Sequence, residues 1–285
     1  MKPILFATNY SSVAENAGDY AAQLAKLCNV PLIVLHSWTL PVLTDRDMVV
    51  AQSPETFHER ERFAIEKEVK RLRTRWGVDV TGVECQGYTP DEIEQLYNRE
   101  EVSLAVMGTH HHTFCSRLLG SMVTTSMHNA GYPVLLVPDT IQYSKPEKIL
   151  FAADKKFSAY SKSLNPLKLF VRTMNTTLDI VQVLSPGEIW NLQNQEGSIH
   201  LDVLMHEVPH HWYLERDENI TEGIMHTADK QDADWIAVAP RHFIWLESLF
   251  ARSITENLAF TTSKPLLILP AELTVHNVKP QHATI

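Results

Sequence analysis

The hydrophobic positions divide this chain into two similar halves. Short, fully apolar runs alternate with longer segments in which apolar residues recur at helical spacing. The run Ile4-Leu5-Phe6-Ala7 is repeated as Ile149-Leu150-Phe151-Ala152, and a closing apolar run at residues 133–138 is repeated at 265–270. A middle run at residues 102–108 has its counterpart at 233–239. Three landmarks in the same order predict a duplicated domain rather than a short solenoid repeat.

The first copy is predicted to alternate strands and helices. Its strands are predicted at residues 4–7, 31–36, 78–85, 104–107 and 134–137, and the first of these is apolar throughout, as in a parallel sheet buried on both faces. The first helix is predicted to open at the capping box Ser12-Val13-Ala14-Glu15, and a charged helix over residues 53–76 to end at Gly77. A third helix is predicted from Thr89-Pro90 and a fourth from Ser121. The pattern predicts an open α/β sheet with right-handed crossovers.

The second copy repeats the pattern with a shorter middle. Its strands are predicted at residues 149–152, 178–183, 235–238 and 266–269, with the loss placed between its second and fourth strands. The predicted domains are residues 1–139 and 148–272, followed by a polar tail at 273–285. Because an exposed apolar edge strand invites aggregation, we expect the fifth strands of the two copies to pack together as an intramolecular pseudo-dimer.

Composition narrows the class of protein. A length of 285 residues suits two domains, and a hydrophobic fraction of 44% indicates a globular chain. The net charge of −9 argues against nucleic acid as a partner, and no apolar stretch is long enough to predict a membrane span. The chain enters a strand almost at once, which argues against a signal peptide. Three widely spaced cysteines fit neither a disulfide framework nor a zinc site, so we expect a cytoplasmic protein.

The candidate site lies where the first and fourth strands of the first copy end. Ligands of open parallel sheets bind at the carboxyl ends of strands. The first strand ends at Thr8-Asn9, and the fourth reaches Gly108. A glycine at this position would let the backbone turn sharply beneath a ligand. Gly120-Ser121 would offer free helix N–H groups to a phosphate. The alternative is that these residues are only turn and cap residues. No Walker A sequence is present.

These residues resemble the universal stress protein family. The resemblance rests on the duplicated apolar strands, on Val106-Met107-Gly108-Thr109-His110, on Leu118-Leu119-Gly120-Ser121 and on the closing run at 133–138. It covers nearly the whole chain as a tandem form. It implies two doubly wound five-stranded parallel sheets in the order 3-2-1-4-5, dimerisation through the fifth strand, and in some members ATP binding. The nucleotide-binding residues that it implies are Ala7, Thr8, Asn9, Ser37, Met107, Gly108, His110, His111, Gly120, Ser121 and Met122.

The chain departs from the family's ATP motif, which is Gly-x-x-Gly, nine residues, then Gly-Ser or Gly-Thr. His111 replaces the second glycine, and the spacer from His112 to Leu119 is eight residues, one short. Asn9 stands where the family has an adenine-contacting aspartate, although an amide can still form hydrogen bonds with a base.

The second copy departs further. It keeps the acid as Asp154, but Ala239 and His242 replace the glycines and Ala251-Arg252 replaces the last pair. Because of these changes, its site is expected to be degenerate for this ligand.

Other side chains suggest weaker alternatives. Three consecutive histidines begin at His110, but adjacent histidines in a loop point in different directions, and no metal is expected. The same holds for His206, His210 and His211, while His36 is expected to be a packed, hydrogen-bonded residue. Cys115, beside Arg117, is a candidate reactive thiol, although a lone loop cysteine is more often inert.

Two functions remain open from the sequence. The first is a non-catalytic stress-response protein that binds ATP or a related adenine nucleotide in its first copy, with at most very slow hydrolysis. The second is a nucleotide-free scaffold that acts through oligomerisation, as a homodimer, or through a protein partner. No serine or cysteine has a recognisable His/Asp partner, so nucleophilic catalysis has no support.

Overall fold

The computed structural model describes residues 1–38, 54–110, 131–153, 163–188, 192–239 and 254–270. The first copy contains β1 (Ile4–Ala7), α1 (Ser12–Cys28), β2 (Leu32–Trp38), α2 (Pro54–Trp76), β3 (Val80–Gln86), α3 (Thr89–Asn98), β4 (Leu104–Thr109) and β5 (Val134–Pro138). The second copy contains β6 (Lys148–Ala152), α4 (Asn165–Met174), β7 (Thr177–Leu184), α5 (Leu192–Met205), β8 (His210–Arg216), α6 (Ile220–Lys230), β9 (Trp235–Val238), α7 (Ile254–Thr261) and β10 (Leu266–Ile268). Within these ranges, no helix is long and apolar enough to cross a membrane.

The strands form one sheet in the order β3-β2-β1-β4-β5-β10-β9-β6-β7-β8. Each copy therefore has the predicted order 3-2-1-4-5, with parallel pairing inside the copy. The strands form because their side chains are buried on both faces: β1 and β9 are buried at every position. The predicted α/β fold is confirmed.

The two half-sheets meet at β5 and β10, which pair in the antiparallel direction. Leu135 lies opposite Leu267 at the centre of this short contact, and both are fully buried. A second contact joins the sheet of the second copy to a helix of the first: the Trp235 indole N–H of β9 donates to the Tyr20 hydroxyl of α1 at 2.7 Å. The pairing leaves β3 and β8 at the outer edges of the described sheet.

Helix α1 forms because a polar cap precedes an amphipathic segment. Ala17, Ala21 and Leu24 are buried on one side of the helix, as their spacing predicts. The cap differs from the prediction by one residue: Ser11, in extended geometry, accepts from the Ala14 amide, and Ser12 is the first helical residue. The capping box assigned to Ser12 was therefore wrong, because the preceding turn places Ser11 where a cap is needed.

The shorter middle of the second copy lies between its second and third strands. In the first copy, α2 has 23 residues and ends at Trp76, and the next residue, Gly77, has the positive φ of 63° expected of a C-cap glycine. In the second copy, the corresponding α5 has 14 residues. The shorter helix α5 therefore covers less of strands β7 and β8 than α2 covers of β2 and β3. The predicted fourth helix at Ser121 and the tail at 273–285 lie outside the described residues.

Candidate functional site

The carboxyl ends of β1, β2 and β4 meet at one edge of the first copy. Ile4 pairs with Leu104 and Phe6 with Val106, and Ala7 pairs with Leu35 of β2. Parallel pairing therefore brings Thr8-Asn9 beside Gly108–His110, as expected from the sequence.

The tip of β1 is a tight, hydrogen-bonded turn. The Asn9 side-chain oxygen accepts from the Ser11 backbone N–H at 3.1 Å and from the Ser11 hydroxyl at 2.7 Å. A backbone N–H can only donate, so these contacts fix which end of the Asn9 amide is oxygen. Asn9 is exposed at this edge. The other end of the Asn9 amide is an NH₂ group, a donor, in the place where an aspartate would have a second oxygen, an acceptor.

Thr8 anchors the same turn through its main chain and its side chain. Its hydroxyl accepts from the Tyr10 amide at 3.0 Å, and its carbonyl lies 2.8 Å from Nδ1 of His36. Because a carbonyl only accepts, Nδ1 of His36 carries the proton. Nε2 of the same ring lies 3.1 Å from the carboxylate of Glu61 on α2. The prediction that His36 is packed and hydrogen-bonded is confirmed.

Glu61 is a buried carboxylate that the sequence analysis did not identify. It is 7% exposed and contacts the Arg60 guanidinium at 3.0 Å as well as His36. No motif marks it, since its approach to His36 depends on how α2 packs on the sheet.

Tyr10 covers this cluster from outside. Its ring lies on His36 with centroids 4.4 Å apart, and its backbone has a φ of 60°. Burial of the ring, followed by the negative charge of Glu61 and Glu84, raises the pKa of Tyr10 above its ordinary value. The phenol is therefore a neutral hydrogen-bonding group at the edge of the site.

Gly108 has a different role from the predicted one. It is not a sharp turn but a residue of β4, in register with Val137. A Cβ at this position would stand 2.6 Å from the carbonyl oxygen of Val13. Glycine is therefore explained by the close approach of α1 to β4, and its conformational freedom is not used.

His110 continues β4 into an exposed position beside the end of β5. Its Nδ1 lies 2.9 Å from the carboxylate of Asp139, and the Asp139 amide donates to the Thr109 carbonyl. The neighbouring Thr109 hydroxyl is buried and has no hydrogen-bond partner among the described residues. This corner of the site therefore has an imidazole held by a carboxylate and, beside it, a hydroxyl that is available for a further hydrogen bond.

The remaining predicted residues divide into three groups. Ala7 and Met107 have side chains buried in the core, so only their backbones could face a ligand. The Ser37 hydroxyl is hydrogen-bonded to the Thr89 hydroxyl at the start of α3. The others lie outside the described residues: His111, Gly120, Ser121 and Met122. Across the described ranges, no three His, Cys, Asp or Glu side chains are grouped to hold a metal.

The second copy brings its strand ends together in the same way. Ala152 of β6 pairs with Val238 of β9, and the partly buried Ala239 follows in place of a glycine. Its other predicted site residues lie outside the described ranges: Asp154, His242, Ala251 and Arg252.

Comparison with known proteins agrees with this architecture. Residues 1–138 match the universal stress protein family model. A universal stress protein of Methanocaldococcus jannaschii is 28% identical over 154 residues, covering 52% of this chain and 84% of that protein. Residues 1–138 therefore form a domain of the universal stress protein family.

Two solved structures cover both copies. One is a universal stress protein from Archaeoglobus fulgidus, with a TM-score of 0.71, 19% identity and coverage of 93% of this chain and 97% of that one. The other is a protein of unknown function from Pseudomonas aeruginosa, with a TM-score of 0.54, 14% identity and coverage of 94% and 92%. At such low identities the likeness concerns the fold alone, and it covers both copies of the chain.

Proposed function

We propose that this chain is a non-catalytic stress-response protein that binds ATP or a related adenine nucleotide in its first copy. The observation that carries the proposal is the convergence of exposed Asn9 with Gly108 and His110 at the carboxyl edge of a universal stress protein domain. Such edges are the usual ligand sites of open parallel sheets.

The chemistry of this edge suits an uncharged base and a phosphate at opposite ends. The Asn9 NH₂ can meet an acceptor nitrogen of a purine, and the Thr8–Tyr10 turn keeps that side chain in place. His110 lies at the β4 end and, when protonated, would attract a phosphate, although Asp139 already competes for its Nδ1. Gly120 and Ser121 would supply helix N–H groups to the same phosphate.

We assign the ligand to the first copy because the second lacks the matching residues. Ala239 stands in place of Gly108, and Ala251-Arg252 in place of Gly120-Ser121. A bulky arginine would fill the space at the helix start, although its charge could still neutralise a phosphate.

We expect any hydrolysis of ATP to be very slow, because the sequence identifies neither a general base for the attacking water nor a metal clamp for the phosphates. We further propose that the functional units are residues 1–139 and 148–272 and that the protein acts in the cytoplasm as a homo-oligomer.

The proposal is tested with matched double variants of the two copies. ATP is titrated by calorimetry into the full chain, into Gly120→Val/Ser121→Asp, and into Ala251→Val/Arg252→Asp. We expect the first pair to abolish binding, because bulk and negative charge enter the cleft, and the second pair to retain it. If ATP binding is lost only in Ala251→Val/Arg252→Asp, the nucleotide binds the second copy and the proposed assignment is wrong.

One observation favours the alternative of a nucleotide-free scaffold. The missing side chain of Gly108 is fully explained by the packing of Val13, so this glycine does not require a ligand. If the purified wild-type chain neither carries nucleotide after heat release nor binds added ATP, the scaffold function replaces the proposed one.

A further inference from the structure

The two copies differ most beneath the helix that covers their second and third strands. Leu32 pairs with Val80 in the first copy, and Leu178 with His210 in the second, so the strands can be aligned residue by residue. Under this alignment, Gln182 stands in place of His36. Likewise, Trp212 replaces Gly82, and Leu214 replaces Glu84.

In the first copy this space is filled. Helix α2 lies so close to Gly82 that a Cβ there would be 3.1 Å from Val69 and 3.2 Å from Ile65. The polar groups are also satisfied, since His36 binds the Thr8 carbonyl and Glu61.

In the second copy the same space contains a cavity of about 370 Å³. Trp212 occupies the place of a glycine, and the shorter α5 covers less of the sheet. The residues that line the cavity are Gln182, Ser198, Ile199, Asp202, Trp212, Tyr213 and Leu214. A cavity of this size is within the range of small-molecule sites.

One polar group in the cavity wall lacks a partner. Gln182 is 3% exposed, and its Nε2 has no hydrogen-bond partner among the described residues. An unpaired buried amide is costly, so a native site is expected to satisfy it with a ligand or water.

Most of the remaining wall is apolar and open to solvent. Ile199 is 63% exposed and Leu214 is 50% exposed, which is unusual for adjoining large hydrophobic residues. Asp202, on the rim, lies 3.0 Å from Nε2 of His210 and accepts from the Trp212 indole at 3.4 Å. Both contacts are made to Oδ1 of Asp202, and they orient the indole.

We propose that this cavity is a second binding site, for a small uncharged aromatic molecule that carries one carbonyl or similar hydrogen-bond acceptor. The ring packs against Trp212, Leu214 and Ile199, and the terminal amide of Gln182 turns toward the cavity to donate its Nε2–H to the acceptor. The mainly apolar walls cannot replace the hydration of a charged group, and the Asp202 carboxylate on the rim repels an anion in particular. The site is separate from the proposed nucleotide site and does not depend on it.

The test uses the full chain and two fluorescent probes. Prodan is an uncharged aminonaphthalene with a ketone, and 2-(dimethylamino)naphthalene is its counterpart without the ketone. We expect saturable binding of prodan with a blue-shifted emission. Gln182→Leu should weaken prodan about three- to tenfold, the effect of one neutral hydrogen bond, and leave the ketone-free probe within about twofold.

Variants that fill the cavity complete the test. Leu214→Trp and, independently, Ser198→Trp should weaken both probes at least about tenfold, since each places an indole in the ligand volume. Leu169→Trp is the matched control, because Leu169 is also a partly exposed leucine but does not line the cavity. Circular dichroism verifies that each variant is folded.

Three results would overturn the proposal. The first is the absence of saturable prodan binding to the wild-type chain, and the second is equal weakening of both probes by Gln182→Leu. The third is self-association of the chain that Leu214→Trp abolishes while prodan remains unbound, which would make this surface a contact between copies of the chain.

Discussion

The hydrogen bond between Tyr20 and Trp235 offers a direct probe of how the two copies are joined. Tyr20 belongs to α1 of the first copy, and Trp235 begins β9 of the second. Tyr20→Phe removes the acceptor hydroxyl and leaves the rest of the ring in place. If the copies pack as the structure has them, a change in the first copy must loosen the second.

The expected cost follows from burial. Tyr20 is 2% exposed and Trp235 is 1% exposed, so water cannot replace the lost partner without a structural change. Leaving the indole N–H unpaired should cost about 1–3 kcal/mol of the free energy of unfolding. Trp235→Phe should cost more, because it also leaves a cavity. The double variant should be less destabilised than the sum of the two, by about 1 kcal/mol.

Hydrogen exchange read by mass spectrometry localises the effect. Tyr20→Phe should accelerate amide exchange in β9 as well as in α1, because local opening of the second copy becomes easier. Tyr132→Phe is the control within one copy: its hydroxyl makes a long 3.4 Å contact with the Pro90 carbonyl, and its loss should leave β9 unchanged.

Unchanged exchange in β9 would contradict this reasoning. Together with a change in unfolding free energy below about 0.5 kcal/mol, the size of an ordinary surface substitution, it would mean that the copies are not packed through this contact.

Three further predictions concern the first copy. Gly108→Ala should destabilise the chain by about 1–3 kcal/mol in denaturant unfolding, because the new Cβ meets the Val13 carbonyl, and a neutral result would show that α1 shifts freely. Burial raises the pKa of both the Cys28 and the Cys85 thiols to about 11. At pH 8 each should therefore react with iodoacetamide about a hundredfold more slowly than a thiol with the reference pKa of 9.0, and the rate should increase as the pH rises toward 11. Rapid labelling of the native protein at pH 8 would contradict this prediction. His111→Gly should raise ATP affinity by about 1–3 kcal/mol in calorimetry if the imidazole crowds the phosphates, whereas unchanged affinity would mean that the shorter loop directs the side chain elsewhere.

The strands were predictable because a parallel sheet buried on both faces requires continuous apolar runs. The predicted strand at residues 4–7 coincides with β1, and that at 235–238 with β9. Edge strand β8 was not predicted, because its positions are only partly buried or exposed and it lacks a continuous apolar run. Its two leading histidines instead contact carboxylates, His210 with Asp202 and His211 with Asp179.

The site was predictable only where it lies on a strand end. Thr8 and Asn9 follow directly from β1, and parallel pairing fixes their neighbours. Glu61 could not be found in this way, because its contact with His36 depends on the rotation of α2 about its axis. Gly108 was interpreted as a turn because sequence alone does not reveal that a helix backbone lies against its α-carbon.

Photoaffinity labelling with 8-azido-ATP tests the central claim most directly, since it reports which copy contacts the base. The full chain is irradiated with and without excess ATP, digested, and its labelled peptides identified by mass spectrometry. We expect ATP-displaceable label in peptides from residues 1–38 or 104–139. Displaceable label confined to residues 148–272, or no displaceable label at all, would contradict the assignment of an adenine-nucleotide site to the first copy.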